Sequence, residues 1–170
     1  MAGLVEELTS VMEQETALYD RILGFNESKR DAITTRNSEK LEKITAEEEG
    51  YLFSLRELEQ KRMRALNDMA TVLGHDGETI TVNNVIEILK DKPKEQEALK
   101  VARQNLIEKA KELRYWNDQN QNLLKVALEM VDFDLTLFKS LKQAPETGNY
   151  NNKAYNTGDL LGSSGFDAKQ

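Results

Sequence analysis

Residues 106–141 read LIEKAKELRYWNDQNQNLLKVALEMVDFDLTLFKSL, and their pattern decides the fold. Apolar residues recur at spacings of three and four through the whole stretch, as in helices that pack against other helices. The pattern predicts a helix over about residues 94–142, roughly 70 Å long at 1.5 Å per residue. Its stripe consists of Leu106, Ala110, Leu113, Asn117, Asn120, Leu124, Ala127, Val131, Asp134, Phe138 and Leu141.

The start of the chain predicts another helix with the same alternation, over about residues 4–34. Glu15 and Lys29 interrupt its apolar stripe. Gly24 lies inside the pattern and costs roughly 1 kcal/mol relative to Ala, so we expect the helix to continue through it. The apolar members of the stripe are Leu4, Leu8, Val11, Leu18, Ile22, Phe25 and Ala32.

A third helix is predicted between these two, over about residues 39–73. It follows a weak point at residues 33–38, where three β-branched residues precede Asn and Ser, both helix-capping types. Glu48 and Arg62 interrupt its stripe. A rival interpretation is one continuous helix over residues 4–73, which would form a dimeric hairpin. The apolar members of the stripe are Leu41, Ile44, Tyr51, Leu55, Leu58, Met69 and Leu73.

The connector and the C-terminal segment have different compositions. A short helix is predicted at about residues 82–90, with Thr81 as its cap and Pro93 near the first turn of the next helix. Residues 145–170 are rich in Gly, Asn, Ser and Thr and show no helical or strand period. Fixing about 25 residues costs roughly 25–50 kcal/mol of backbone entropy, whereas burying their few apolar side chains returns about 10 kcal/mol. This tail is therefore expected to be disordered in the free protein.

These elements together predict an all-α protein. The expected architecture is an antiparallel three-helix bundle over residues 1–144, with long coiled-coil-like helices and the short connector helix. The flexible tail follows over residues 145–170.

Charge and composition exclude several classes of protein. The net charge of −7, from 23 basic and 30 acidic residues, is opposite to what nucleic acids and anionic membranes attract. The chain has no Cys, and hence no disulfide framework or thiolate chemistry. Acidic residues near the start are unlike a signal peptide, and no apolar run approaches the roughly 20 residues of a membrane span. A cytoplasmic location is therefore expected.

No catalytic, cofactor-binding or metal-binding residues are expected, and the protein is interpreted as not an enzyme. The single histidine, His75, lies in a polar turn without partners at metal-site or catalytic spacing. The acidic run at residues 47–49 lacks the loop of a calcium site. The sequence also contains no nucleotide-binding loop or nucleophile elbow.

Polar residues on the apolar stripes indicate how the helices align or where a partner could bind. In an antiparallel bundle, Asn120 falls near the level of Glu48 and Tyr51, one turn from Asn117. A buried Asn lowers stability but fixes register, and each unsatisfied amide costs roughly 1–3 kcal/mol. Asn117, Asn120 and Glu48 are therefore interpreted as a polar core layer that sets the alignment of the helices. The alternative is a groove left partly open for a partner.

The last turns of the long helix are the first candidate binding surface. Because this helix is predicted to be longer than its neighbours, its last turns are expected to overhang them. These turns carry Phe133, Leu135, Leu137, Phe138 and Leu141, and all of these except Leu135 are candidate binding residues. An exposed apolar patch of this kind is typical of a protein-binding site. The alternatives are that the connector, residues 78–92, folds back over these turns, or that a second subunit covers them.

The tail is the second candidate. Its isolated apolar residues, spaced through polar sequence, favour a segment that becomes ordered on a partner over an inert linker. The candidate anchors are Tyr150, Tyr155, Leu160, Leu161 and Phe166.

Two helical segments resemble those of a known family. KITAEEE at residues 43–49, followed by LRELEQKR at residues 55–62, resembles the second helix of the FlgN family, the flagellar export chaperones for hook–filament junction proteins. NDQNQNLL at residues 117–124 is similar to that family's Asn-x-x-Asn-x-x-Leu-Leu signature. The similarity extends over essentially the whole chain, although the tail does not align residue by residue.

The resemblance implies an antiparallel three-helix bundle that binds unassembled junction proteins of the FlgK and FlgL types in the cytoplasm, before type III export. It also implies that the end of the last helix and the tail contact the client (the export substrate that the chaperone holds) and the export gate. The competing hypothesis is a structural coiled-coil protein that self-associates, with a homodimer as its simplest form.

Overall fold

The computed structural model describes residues 1–143, and these form helices joined by short turns. The predicted all-α class and helical bundle are confirmed. The elements are α1 (Ala2–Leu23), α2 (Asn26–Thr34), α3 (Ser38–Val72), α4 (Val82–Ile88), a 3₁₀ turn (Leu89–Asp91) and α5 (Pro93–Gln143).

The described residues divide into two units, with the boundary between Asn120 and Gln121. The first unit contains α1 to α4 and the first 28 residues of α5, counted from Pro93 to Asn120. The described part of the second unit is the remainder of α5.

Two apolar clusters form the core of the first unit. The larger cluster contains Leu8 of α1, Met69 of α3 and Leu99 of α5, each fully buried. The buried members of the smaller cluster are Ile22, Leu55 and Leu113. From the larger to the smaller cluster, residue numbers rise along α1 and α5 and fall along α3. The helix α3 is therefore antiparallel to α1 and α5, the arrangement of an up-down-up bundle.

The prediction of an unbroken helix over residues 4–34 is wrong, because α1 ends at Leu23 and α2 begins at Asn26. At the junction, the N–H of Phe25 donates to the carbonyl of Ile22, three residues back, at 3.1 Å. This bond tightens the helix into a 3₁₀-like turn. A Cβ on Gly24 would lie 3.1 Å from the carbonyl oxygen of Arg21, so the missing side chain matters for more than local helix propensity.

A second break separates α2 from α3 at the predicted weak point, so the rival of one continuous helix over residues 4–73 is wrong. Arg36 adopts a positive φ of 54°, and the side chain of Asn37 accepts a hydrogen bond from the N–H of Lys40 at 3.0 Å. Asn37 is thus the N-cap of α3, and the two helices fold back on each other.

The connector is anchored in the larger cluster of the first unit. Gly74 and Gly77, with φ of 76° and 82°, make the turn after α3. Thr81 and Asn84 then form a capping box, in which each side chain accepts a hydrogen bond from the other's backbone N–H. Val85 is fully buried in the larger cluster.

The predicted short helix over residues 82–90 needs correction at its end, because α4 stops at Ile88 and a 3₁₀ turn follows. Pro93 disfavours α-helical backbone at the residue before it, Lys92, whose φ and ψ are −127° and 73°. The turn places Leu89 in the larger cluster beside Val85.

Candidate protein-binding surface

The described half of the second unit is a helix with exposed apolar side chains. From residue 121 to residue 142 no side chain is buried. Ten large apolar residues there are between 37% and 66% exposed, whereas the earlier turns of α5 bury Leu99, Leu106 and Leu113. The ten are Leu124, Val126, Leu128, Met130, Val131, Phe133, Leu135, Leu137, Phe138 and Leu141.

These ten residues form two adjoining stripes. One stripe runs along Leu124, Val131 and Phe138, with Leu128 and Leu135 beside it. The other stripe contains Val126, Met130, Phe133, Leu137 and Leu141. At 100° per residue they span roughly 220° of the helix circumference. A helix that packs on one side of a bundle needs a stripe only about 100° wide. We call this two-stripe surface the apolar arc.

The structure places four of the candidate binding residues on the apolar arc. Phe133, Leu137, Phe138 and Leu141 are all exposed. The alternative that the connector, residues 78–92, folds back over them stays a prediction. Their predicted overhang stays a prediction. The tail candidates Tyr150, Tyr155, Leu160, Leu161 and Phe166 lie outside the described residues.

The sequence pattern does not predict the exposure of five members of the apolar arc, which are Leu124, Val126, Leu128, Met130 and Val131. Leu124 and Val131 were assigned to the packed stripe of the bundle, but both are exposed. A heptad pattern indicates that a side chain packs against an apolar neighbour. It does not indicate whether that neighbour belongs to the same chain or to a partner. The available signal was composition, because residues 123–141 place apolar side chains on two stripes where one-sided packing needs a single stripe.

The three residues of the proposed polar core layer have different surroundings. Asn120 is buried, and neither atom of its amide has a hydrogen-bond partner among the described residues. Asn117 is half-buried. Glu48 is buried and pairs with Lys29 of α2, at 2.9 Å between Oε2 and Nζ. Asn120 therefore does not hydrogen-bond Glu48, whose partner is supplied by a neighbouring helix.

A second cross-helix ion pair joins the remaining stripe interruptions. Arg62 of α3 donates from Nη1 to Oε2 of Glu15 at 3.3 Å. Burial raises the pKa of Glu15 to about 7, with Glu59 adding to the shift and Arg62 opposing it. Burial, followed by the charge of Glu59, also raises the pKa of Tyr19. These groups all lie in the first unit, outside the apolar arc.

Neither a metal site nor a membrane span is found in the described range. Residues 1–143 contain no cluster of three or more His, Cys, Asp or Glu side chains that could hold a metal ion. No helix in that range is long and apolar enough to cross a membrane.

A wide exposed apolar surface on a helix is typical of a site that binds another polypeptide. The family model described as "FlgN protein" matches residues 1–158, and the chain belongs to the FlgN family. This is a family of flagellar export chaperones, which bind substrates of flagellar export. Neither the search of curated proteins nor that of solved structures found a match.

Proposed function

We propose that this protein is a cytoplasmic chaperone that binds unassembled hook–filament junction proteins of the FlgK and FlgL types and delivers them to the flagellar export gate. The observation that carries the proposal is the apolar arc, with its ten large side chains exposed between residues 124 and 141. Family membership supports the export role.

The proposed contact is between helices. The apolar terminal helices of a junction protein aggregate when unpaired, and an amphipathic helix can bury its apolar face along the arc. Burying each large side chain contributes roughly 1.5–3 kcal/mol, from which the cost of ordering both partners is subtracted. The result is a complex that protects the client and can still release it at the gate.

The tail is proposed to take part in the same complex. Its candidate anchors, Tyr150, Tyr155, Leu160, Leu161 and Phe166, stay predictions. Ordering such a segment on the client reduces the net affinity, which favours release during export.

Self-association is the rival use of the apolar arc. A structural coiled-coil protein would cover the arc with a second copy and would stay oligomeric when client is added. In a chaperone, the client would displace any second copy of the chain from the apolar arc. Light scattering after size-exclusion chromatography separates the two, because the chaperone forms a complex containing client and the scaffold does not.

The decisive experiment substitutes two exposed aromatic residues of the arc. Phe133 and Phe138 are 66% and 63% exposed, so Phe133→Gln with Phe138→Gln should leave the bundle folded. The control is Phe53→Gln, because Phe53 is equally exposed, at 63%, and lies on α3 in the first unit. Calorimetric titration with a purified FlgK-type protein measures binding, and circular dichroism checks folding.

We expect the double variant to bind at least about tenfold more weakly, from the loss of roughly 1.4 kcal/mol or more, and Phe53→Gln to bind normally. Secretion of the junction protein by a flagellated strain that carries only the variant should fall in parallel. Equal binding by the double variant and the control would exclude the arc as the client site.

A further inference from the structure

The break between α1 and α2 borders a cleft in the first unit. Its volume is about 410 Å³, and it lies between the α1–α2 junction and one face of α5. Asn26, Glu27 and Arg30 line it on the junction side, and Glu112 and Trp116 line it on the α5 side.

Asn26, one of the residues that line the cleft, has an unsatisfied acceptor. Asn26 is 7% exposed, and its Oδ1 has no hydrogen-bond donor within the described part of the chain. Leaving a buried acceptor unpaired costs roughly 1–3 kcal/mol. A group that brings N–H donors into the cleft can offset this cost.

The charges of the cleft favour a cation. The two carboxylates come from opposite sides, Glu27 from α2 and Glu112 from α5. Glu27 forms no ion pair among residues 1–143, and the cation nearest to Glu112 is Lys109, with Nζ 3.7 Å from Oε2. Among the lining residues, Arg30 is the one cation and the carboxylates number two. Lys109, beside Glu112, is shared with Asp20 at 2.9 Å, so it does not fully neutralise Glu112.

The indole of Trp116 adds a planar wall. Tyr115 packs edge-on against it, with ring centroids 5.4 Å apart, and Trp116 itself is half-buried. An indole face attracts cations, and a guanidinium stacks on it better than an ammonium does. A guanidinium also carries five N–H donors in one plane, enough for the carboxylates and the orphaned amide oxygen.

We propose that this cleft binds an arginine side chain presented by a partner protein. The site belongs to the first unit, separate in residues and in chemistry from the apolar arc. Its existence does not depend on the proposed function, and its test uses neither a junction protein nor an export assay.

Trp116 makes the test direct, because it is the only tryptophan in the chain. The full-length protein is titrated with a tri-arginine amide peptide while the tryptophan fluorescence is recorded. We expect a saturable change, and a weaker response to tri-lysine amide of the same charge.

Four single variants distinguish binding of the peptide in the cleft from a general attraction of a cationic peptide to an acidic protein. Glu112→Gln should weaken tri-arginine binding roughly two- to fivefold, and Arg30→Gln should strengthen it by a similar factor, because the competing cation is removed. The matched controls, Glu97→Gln and Arg64→Gln, make the same charge changes at exposed positions outside the cleft, and they should bind as the natural protein does.

Three results would each overturn the proposal. They are no saturable fluorescence change at millimolar tri-arginine, an equal response to tri-lysine, and an effect of Glu97→Gln as large as that of Glu112→Gln. All four substituted side chains are exposed, so circular dichroism is expected to show an unchanged helical content for each variant.

Discussion

Arg62 of α3 donates a hydrogen bond to Glu15 of α1 at 3.3 Å inside the bundle, where Glu15 is only 1% exposed. The two side chains differ in their exposure to solvent: 30% of the Arg62 side chain is exposed, but only 1% of the Glu15 side chain. Desolvation of Glu15 outweighs the attraction of Arg62, so the pKa of this carboxyl rises to about 7 from its ordinary 4.5. The bundle therefore contains an acid that titrates near neutral pH.

This raised pKa predicts a pH-dependent stability. The folded state binds the Glu15 proton more tightly than the unfolded state, so the contribution is fully present below about pH 4.5 and is lost as the pH rises through about 7. Glu15→Gln, which mimics the protonated form, should gain up to about 3 kcal/mol relative to the natural protein between pH 4.5 and pH 8. Urea unfolding of both proteins at several pH values measures this difference. A difference that does not change with pH would contradict the assignment.

The Asn120 amide predicts a stabilising substitution. Because neither of its polar atoms has a partner among the described residues, Asn120→Leu should raise the free energy of unfolding by about 1–3 kcal/mol. Asn117→Leu is the control, since Asn117 is only half-buried. Thermal and urea unfolding provide the measurement, and a destabilised Asn120→Leu protein would mean that the amide has a partner in solution.

Two glycines, Gly50 within α3 and Gly24 at the end of α1, are expected to respond differently to substitution by Ala. Gly50 lies within α3 with open space around its missing Cβ, so Gly50→Ala should stabilise the protein by roughly 0.5–1 kcal/mol. At Gly24 the Cβ would lie 3.1 Å from the Arg21 carbonyl oxygen, and the crowding should cancel that gain. Parallel urea unfolding curves compare the two variants. Equal stabilisation of both would show that the α1–α2 break does not depend on the glycine.

Removal of residues 145–170 predicts a separation of folding from binding. The apolar clusters of the first unit are built from side chains between Val5 and Leu113 among the described residues, so helical content and unfolding midpoint should stay close to those of the full chain. Client affinity should fall, because the candidate tail anchors are removed. Circular dichroism and calorimetric titration test the two parts separately, and loss of the bundle would refute the interpretation of the tail as a separate segment.

The sequence predicted which faces of the helices are buried better than it predicted the neighbours of each residue. Glu15, Lys29, Glu48 and Arg62 were recognised as interruptions of the stripes, but their pairing depends on how far the helices are shifted along one another. The spacing of apolar residues at three and four positions does not determine how far one helix is shifted along another. The lack of a hydrogen bond between Asn120 and Glu48 has the same origin, since Lys29 already satisfies the carboxylate.

The break at Gly24 and the width of the apolar arc were missed for different reasons. Helix propensity counts the entropic cost of Gly24 but contains no information on the crowding of a Cβ against the Arg21 carbonyl. The pattern in residues 124–141 was interpreted as one packed stripe plus exposed ends, because an all-helical chain normally buries its stripes internally. Burial by a partner leaves the same pattern in the sequence.

The width of the apolar arc also limits how many ligands the helix can hold. A single amphipathic helix covers a sector of roughly 100°, about half of an arc that spans roughly 220°. One bound segment would therefore leave a second apolar strip open along the same helix. We expect the second half of α5 to be bivalent, so that an incoming segment can dock before the first one leaves and transfer can proceed through a ternary complex.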